Sequence, residues 1–261
     1  MKKLMAMLLA SAMVFSLAAC GASEDTENKD TLKIGFTYFE PMNYLDDQGE
    51  FVGFETEFAT AVCEQMGVKP EFVEINWDSK VMELESKNID CIWNGMTITP
   101  ELQEALTISD PYIKNYQVIV IRSENADLYT DTASLAGKTV EAEAGSAGEA
   151  AIADDENLSQ ATYVSVTKQT DALLEVKTGA ADAAVMDFVL ANALAGKGDY
   201  SDLMVIPGLE LSVEEYGVGF RKDDTELAGK VNDAMQALID DGTLSTLAEK
   251  YGLAELLLAN Q

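Results

Sequence analysis

The sequence predicts an α/β protein of two lobes, and three observations carry that expectation. Apolar strand-like runs alternate with helical stripes from Leu32 onward, and a long apolar run, Gln117-Val118-Ile119-Val120-Ile121, closes the first series. The alternation then restarts and runs to a second apolar segment, Tyr216-Gly217-Val218-Gly219-Phe220. Strands alternating with helices indicate layers on a largely parallel sheet. Two such series in succession, without a sequence repeat, point to two lobes. A chain of 261 residues has length for one to two domains and a substantial core.

Each element has a local reason. Leu32-Lys33-Ile34-Gly35-Phe36 reads as a strand entering a loop. Phe54, Phe58, Val62 and Met66 recur at four-residue intervals, one stripe of an amphipathic helix that Gly67 should stop. Glu71-Phe72-Val73-Glu74-Ile75 alternates as a half-buried strand does, and 81–85 suits a short helix. Asp90-Cys91-Ile92-Trp93 reads as a strand before Asn94-Gly95, and Thr99-Pro100 supplies an N-cap and first-turn signal. In the second series, 138–142, 162–166 and 183–186 read as strands. An Ala-rich helix follows Gly145, and a second helix spans about 170–178. Leu227, Val231, Ala234, Met235, Leu238 and Ile239 share one face of a C-terminal helix.

Composition excludes several function classes. The chain carries 17 Lys and Arg against 46 Asp and Glu, a formal net charge of −29, and no basic patch, so nucleic acid is not an expected partner. With no histidine and three cysteines, common zinc sites and histidine-based triads are ruled out, and no metal or other cofactor is expected. The acidic excess reads mainly as a solvated surface that also favours cationic solutes. Residues 1–19 have a basic start at Lys2 and Lys3, an apolar run to Ala19 and a small-residue exit, the pattern of an export signal. The apolar run, at about 16 residues, is short for a bilayer span of ~20. Residues 20–30 are polar after Cys20 and Gly21 and read as a tether.

Leu17-Ala18-Ala19-Cys20 resembles the lipobox of bacterial lipoproteins, which implies cleavage before Cys20, lipid on that residue, palmitate included, and anchoring at the bacterial cell membrane outside the cytoplasm. In the body, Phe51-Val52-Gly53-Phe54-Glu55-Thr56-Glu57-Phe58, Trp77-Asp78 and Asn94-Gly95-Met96-Thr97-Ile98-Thr99-Pro100-Glu101 form an ordered set. Ser109-Asp110-Pro111-Tyr112, Ala144-Gly145-Ser146 and Asp241-Gly242-Thr243 complete it. From Leu32 to Leu253 the chain resembles the extracellular solute-binding proteins of polar amino acid ABC importers. The resemblance implies two α/β lobes joined by two hinge strands with a ligand cleft between them. Lobe 1 would be 31–117 plus 213–261 and lobe 2 would be 118–212, with hinges near Gln117–Ile121 and Val213–Gly219. The implied partners are a small-molecule amino acid or related amine and an ABC permease in the membrane, with the binding protein itself a monomer.

A zwitterion stripped of water needs partners for both charges. By resemblance, Asp187 takes the ammonium, with the Gly95 carbonyl and Thr97 hydroxyl beside it. The amides of Thr97, Ser146 and Ala147 would face the carboxylate. Phe39 and Trp77 would sandwich the ligand side chain, and Asn94 belongs to the same set. Glu40 stands where it could reach a cationic ligand tail. Simpler structural roles stand beside these: a helix N-cap for Asp187, a capped turn at Ser146, core packing for Trp77 and an exposed loop position for Glu40. The departure from the family is Leu102, where an arginine usually clamps the carboxylate. The chain's two arginines, Arg122 and Arg221, lie just past the expected hinges. A ligand without that carboxylate is therefore an alternative. Cys63 and Cys91 are open to either a disulfide or two buried thiols. A dehydratase-like enzyme on the same lobes is disfavoured by the absence of histidine and of the clamp arginine, and a sensory ligand domain by the absence of a transmembrane signalling segment.

Overall fold

The computed structural model of the chain describes residues 30–260, so the expected export segment, Cys20 and nearly all of the tether lie outside the described residues. The chain begins with β1 (Thr31–Phe36), a hairpin of β2 (Tyr44–Leu45) and β3 (Phe51–Val52), α1 (Phe54–Met66) and β4 (Lys69–Glu74). It continues through α2 (Lys80–Glu85), β5 (Cys91–Ile92), α3 (Pro100–Ala105), β6 (Leu106–Ile108) and β7 (Ile113–Arg122). Then come β8 (Thr139–Glu143), α4 (Ala147–Asp154), β9 (Thr162–Val166), α5 (Gln169–Thr178), β10 (Ala183–Asp187) and α6 (Phe188–Leu194). The last elements are β11 (Leu203–Tyr216), β12 (Gly219–Arg221), α7 (Thr225–Asp240) and α8 (Thr243–Lys250).

Two five-stranded sheets organise the two lobes, in the orders β4-β1-β5-β12-β6 and β11-β7-β10-β8-β9. β1 is parallel to β4 and β5, and β8 is parallel to β9 and β10. The sheets are less parallel than the sequence predicts. β12 is antiparallel to β5 and β6, and β7 is antiparallel to β10 and β11. The reason is topological: β7 carries the chain out of the first lobe and β11 carries it back, so the two run in opposite directions.

Alternation along the central strands explains their unbroken apolar sequence. In β7, Val118 and Val120 face the main core while Ile119 and Ile121 face a second core; Ala184 and Met186 against Ala183 and Val185 divide β10 the same way. A strand covered on both faces needs apolar residues at every position. In the first lobe, Cys91 and Trp93 enter the main core and Ile92 a third, with Trp77, Leu84, Ile89, Met96 and Leu106. α1 buries Phe54, Phe58 and Val62, packs on α7 and α8, and ends at left-handed Gly67 as expected.

The expected strand Tyr216–Phe220 is two strands. β11 ends at Tyr216 in the second sheet and β12 starts at Gly219 in the first. At the crossing a Cβ on Gly217 would sit 2.8 Å from Ile108 Cγ2 and 2.9 Å from Ile98 Cδ1, so only glycine lets the chain through unshifted. β11 escaped sequence reading over 203–212 because Pro207 and Gly208 interrupt its pattern, where the register shifts between Val205 and Glu210. The β2–β3 hairpin, β6 and α8 are also additional to the sequence reading. Cys63 and Cys91 are free thiols buried in the main core. Among the described residues, no helix is long and apolar enough to cross a membrane.

Candidate functional site

The cleft forms where the parallel strands of both sheets end. Beyond the carboxyl ends of β1 and β5 lie Thr37–Phe39 and Asn94–Thr97; β8 ends at Glu143 and β10 at Asp187. Ligands of open α/β sheets bind at such ends, where loops and helix N-termini leave the sheet. A cavity of about 390 Å³ lies there, and all eight of Phe39, Trp77, Asn94, Gly95, Thr97, Ser146, Ala147 and Asp187 line it. Glu40 does not line it. Neither arginine does, since Arg122 donates to the Val176 and Ala181 carbonyls and Arg221 to those of Leu84 and Ile89. Leu102 is part of the wall.

Asp187 is only 5% exposed. Its Oδ1 accepts from Asn115 Nδ2 at 2.6 Å, Tyr216 Oη at 2.7 Å and Gln117 Nε2 at 3.0 Å, and its Oδ2 accepts from Gln169 Nε2. The residue stands at the N-cap position of α6, yet its side chain does not cap that helix. Asn115 and Gln117 also donate to Glu214 Oε2, each at 3.1 Å, so neutral amides bridge two carboxylates. Burial above all, and then the Glu214 charge, push Asp187 up to about 6. Glu143 is likewise pushed up to about 8 by burial and then by Asp187, with Lys80 opposing.

The remaining residues divide between walls and supports. Phe39 belongs to the main core and Trp77 to the third, and each presents a face to the cavity. Gly95 adopts φ +55°, and a Cβ there would meet Phe39 Cε1 at 2.4 Å, so the aromatic wall depends on that glycine. The Gly95 amide donates to the Glu55 carboxylate at 2.8 and 3.0 Å. Asn94 has its side chain committed: Oδ1 accepts from the Thr37 amide and hydroxyl, and Nδ2 donates to Thr37 O and Asn43 Oδ1. It therefore braces the cleft floor. The Thr97 hydroxyl donates to Glu214 Oε2 at 2.9 Å.

At the second-lobe turn, Ser146 Oγ accepts from the Glu149 amide, the cap of α4. The Ser146 amide donates to the Glu143 carbonyl at 3.2 Å and is thus engaged within the turn, while Ala147 provides the first amide of the helix. Lys80, Glu143 and Gln169 also line the cavity and were not singled out by sequence reading. Lys80 lies over the Trp77 ring, 4.8 Å from its centroid, and donates to Trp77 O at 3.3 Å and, across the cleft, to Gly145 O at 2.8 Å. Burial lowers its affinity for the proton, and Glu143 opposes that shift. A carboxylate ending a buried strand, as in Val140-Glu141-Ala142-Glu143, was the available signal for Glu143. Nothing local in the sequence marks Gln169.

The family model described as bacterial extracellular solute-binding proteins, family 3, matches residues 32–254. The chain is 30% identical to the arginine-binding extracellular protein ArtP of Bacillus subtilis, over 98% of this chain and 100% of that protein. A histidine-bound substrate-binding protein of an ABC uptake transporter from Streptococcus pneumoniae is 32% identical with a TM-score of 0.78, covering 88% of this chain and 95% of that one. An ancestral amino acid-binding protein, a precursor of cyclohexadienyl dehydratase, is also 32% identical with a TM-score of 0.77, over 85% and 95% of the two chains.

Proposed function

The chain belongs to the bacterial extracellular solute-binding proteins of family 3, and from that premise we propose that it is the non-catalytic binding subunit of an ABC importer. It captures a polar amino acid or related amine between its lobes and delivers it to a membrane permease. The observation that carries this reading is the buried carboxylate of Asp187, at the end of β10, facing a cavity walled by Phe39 and Trp77. The ligand ammonium sits at Asp187, with the Gly95 carbonyl and the Thr97 hydroxyl as further acceptors. The side chain lies between the two aromatic rings. The amides of Thr97 and Ala147 face the other end. Support for a binding role comes from the relatives named as amino acid-binding proteins. The ancestral relative that is a precursor of cyclohexadienyl dehydratase is itself named an amino acid-binding protein, and the four uncharged donors around Asp187 hold its carboxylate in one orientation, as a binding group requires.

The lobes divide as 31–117 plus 213–261 and 118–212, and they flex where β7 and β11 pair over 113–117 and 212–216, a hinge that starts earlier in β7 than the expected Gln117–Ile121. Closure excludes water and strengthens each charged contact. The protein works as a monomer tethered by lipid on Cys20, a reading supported by Leu17-Ala18-Ala19-Cys20 and the polar stretch after it.

The test is Asp187→Ala, read by calorimetry with whichever amino acid or amine raises the thermal midpoint of ligand-stripped protein. Truncating one partner of a buried charge pair removes ~2–5 kcal/mol, so affinity should fall roughly 30-fold or more, with the circular dichroism spectrum unchanged. Unchanged affinity would remove Asp187 from the site.

A further inference from the structure

The charges on the cleft wall narrow the ligand class, an inference that rests on the binding role proposed above. Among the described residues, four carboxylate side chains line the main chamber, those of Glu101, Glu143, Glu149 and Asp187, against the single ammonium of Lys80. A second cavity of about 330 Å³ adjoins the first, with Thr97, Thr99, Ala147 and Ala150 lining both. Among the described residues, its wall adds Asp154, Asp155 and Glu214 and no basic residue.

The donors that hold these acids do not neutralise them. Asp187 and Glu214 share the amides of Asn115 and Gln117, and Tyr216 and Thr97 add hydroxyls; every one of these groups is uncharged. Lys80 is engaged with two backbone carbonyls and stands beside Glu143, so it offsets one acid at most. Two carboxylates held close in a buried site oppose each other's ionisation, and a cation bound beside them favours the ionised forms of both. A ligand carboxylate would enter this same field with no arginine to receive it and with the Ser146 amide already bonded to Glu143 O. Desolvating an anion without a charged partner is costly. Phe39, Trp77, Met96 and Leu102 meanwhile provide apolar walls suited to an alkyl chain and to cation–π contact.

We propose that the cleft takes a linear aliphatic di- or polyamine without a carboxylate, one positive group at Asp187 and Glu143 and another toward Glu214 and the second chamber. Leu102 is then a specificity residue, since it leaves that end of the cleft without a cation.

Isothermal titration of the ligand-stripped protein with cadaverine, putrescine and agmatine beside lysine, ornithine and arginine decides the matter. The expected result is an amine binding at least tenfold more tightly than its parent amino acid. An amino acid binding more tightly than its amine overturns the proposal and leaves the importer reading standing. If no compound in the panel binds, nor any other amino acid, both fall. Leu102→Arg gives an independent reading on a half-buried wall position: it should weaken the amine and strengthen the parent amino acid, each at least tenfold. Tighter amine binding in that variant would also overturn the proposal.

Discussion

Asp187 shows how one residue acquires its chemistry from three strands. β10 delivers it, β7 supplies Asn115 and Gln117, and β11 supplies Tyr216 and the opposing acid Glu214. The consequence is a pH dependence whose sign can be worked out. Asp187, Glu55 and Glu143 are held at about 6, 7 and 8, above ordinary values of 3.8, 4.5 and 4.5, with burial the largest cause in each case. Between the ordinary and the raised values the folded state binds more protons than the unfolded state. Their stabilising contribution is therefore full below about pH 4 and is lost as pH rises through about 6 to 8. Lys80, Tyr112 and the Gly95 amide moderate these shifts without reversing them. Calorimetry on ligand-free protein should show the thermal midpoint rising as pH falls from 8 to 5.5. Self-repulsion at a formal net charge of −29 acts in the same direction, so the site's share is read from Asp187→Asn, which should flatten the slope. A cationic ligand inverts the dependence, because it needs the ionised acids: its affinity should fall across the same interval.

At the scale of elements, the cleft depends on short helices whose starts face it. α3 begins at Pro100 with Thr99 as its cap, the Thr99 hydroxyl accepting from the Leu102 amide at 3.2 Å. That bond orients Leu102 on the cavity wall. Thr99→Ala should cost about 1 kcal/mol of stability, measured by urea denaturation, and a loss below 0.3 kcal/mol would mean that packing alone holds the helix start. α4 uses Ser146 in the same way at the facing lobe. Much of this was legible in sequence, because caps, stripes and glycine stops are local chemistry: α1, α3, α4, α5 and α7 announce themselves by periodicity or by their first residue. β11 did not, because only three of its 14 residues are buried and Pro207-Gly208 breaks the alternation. The hairpin of two-residue strands and the three-residue β6 are too short to carry a period.

Across the whole molecule, polar contacts away from the β7 and β11 crossings also join the two lobes. Lys80 of the first lobe donates to Gly145 O of the second, and Lys168 of the second pairs with Glu74 of the first at 2.9 Å, lying over Tyr38. Both Lys168 and Glu74 are partly exposed, so the pair contributes ~0.2–1 kcal/mol at most. Lys168→Ala should therefore weaken ligand affinity by up to about fivefold and raise the radius of gyration of the ligand-bound form in solution scattering. An unchanged affinity would show that the bridge does not bias closure.

What the sequence by itself determined is the part written in local physics and in ordered motifs. The α/β alternation, the expectation of two lobes and the acidic balance came from residues read along the chain, and the candidate set of Phe39, Trp77, Asn94, Gly95, Thr97, Ser146, Ala147 and Asp187 came from the family resemblance that the ordered motifs carry. The tertiary structure alone decided which of these face the cavity with free chemistry and which brace it. Asn94 is consumed by Thr37 and Asn43, the Ser146 amide by Glu143 O, and Asp187 is paired with a second acid lying 27 residues farther along the chain. Only folding brings Lys80, Glu143 and Gln169 to the same wall. The physical reason is that a hydrogen bond or a charge acts through distance in space, and the strands that fix those distances meet from opposite ends of the chain.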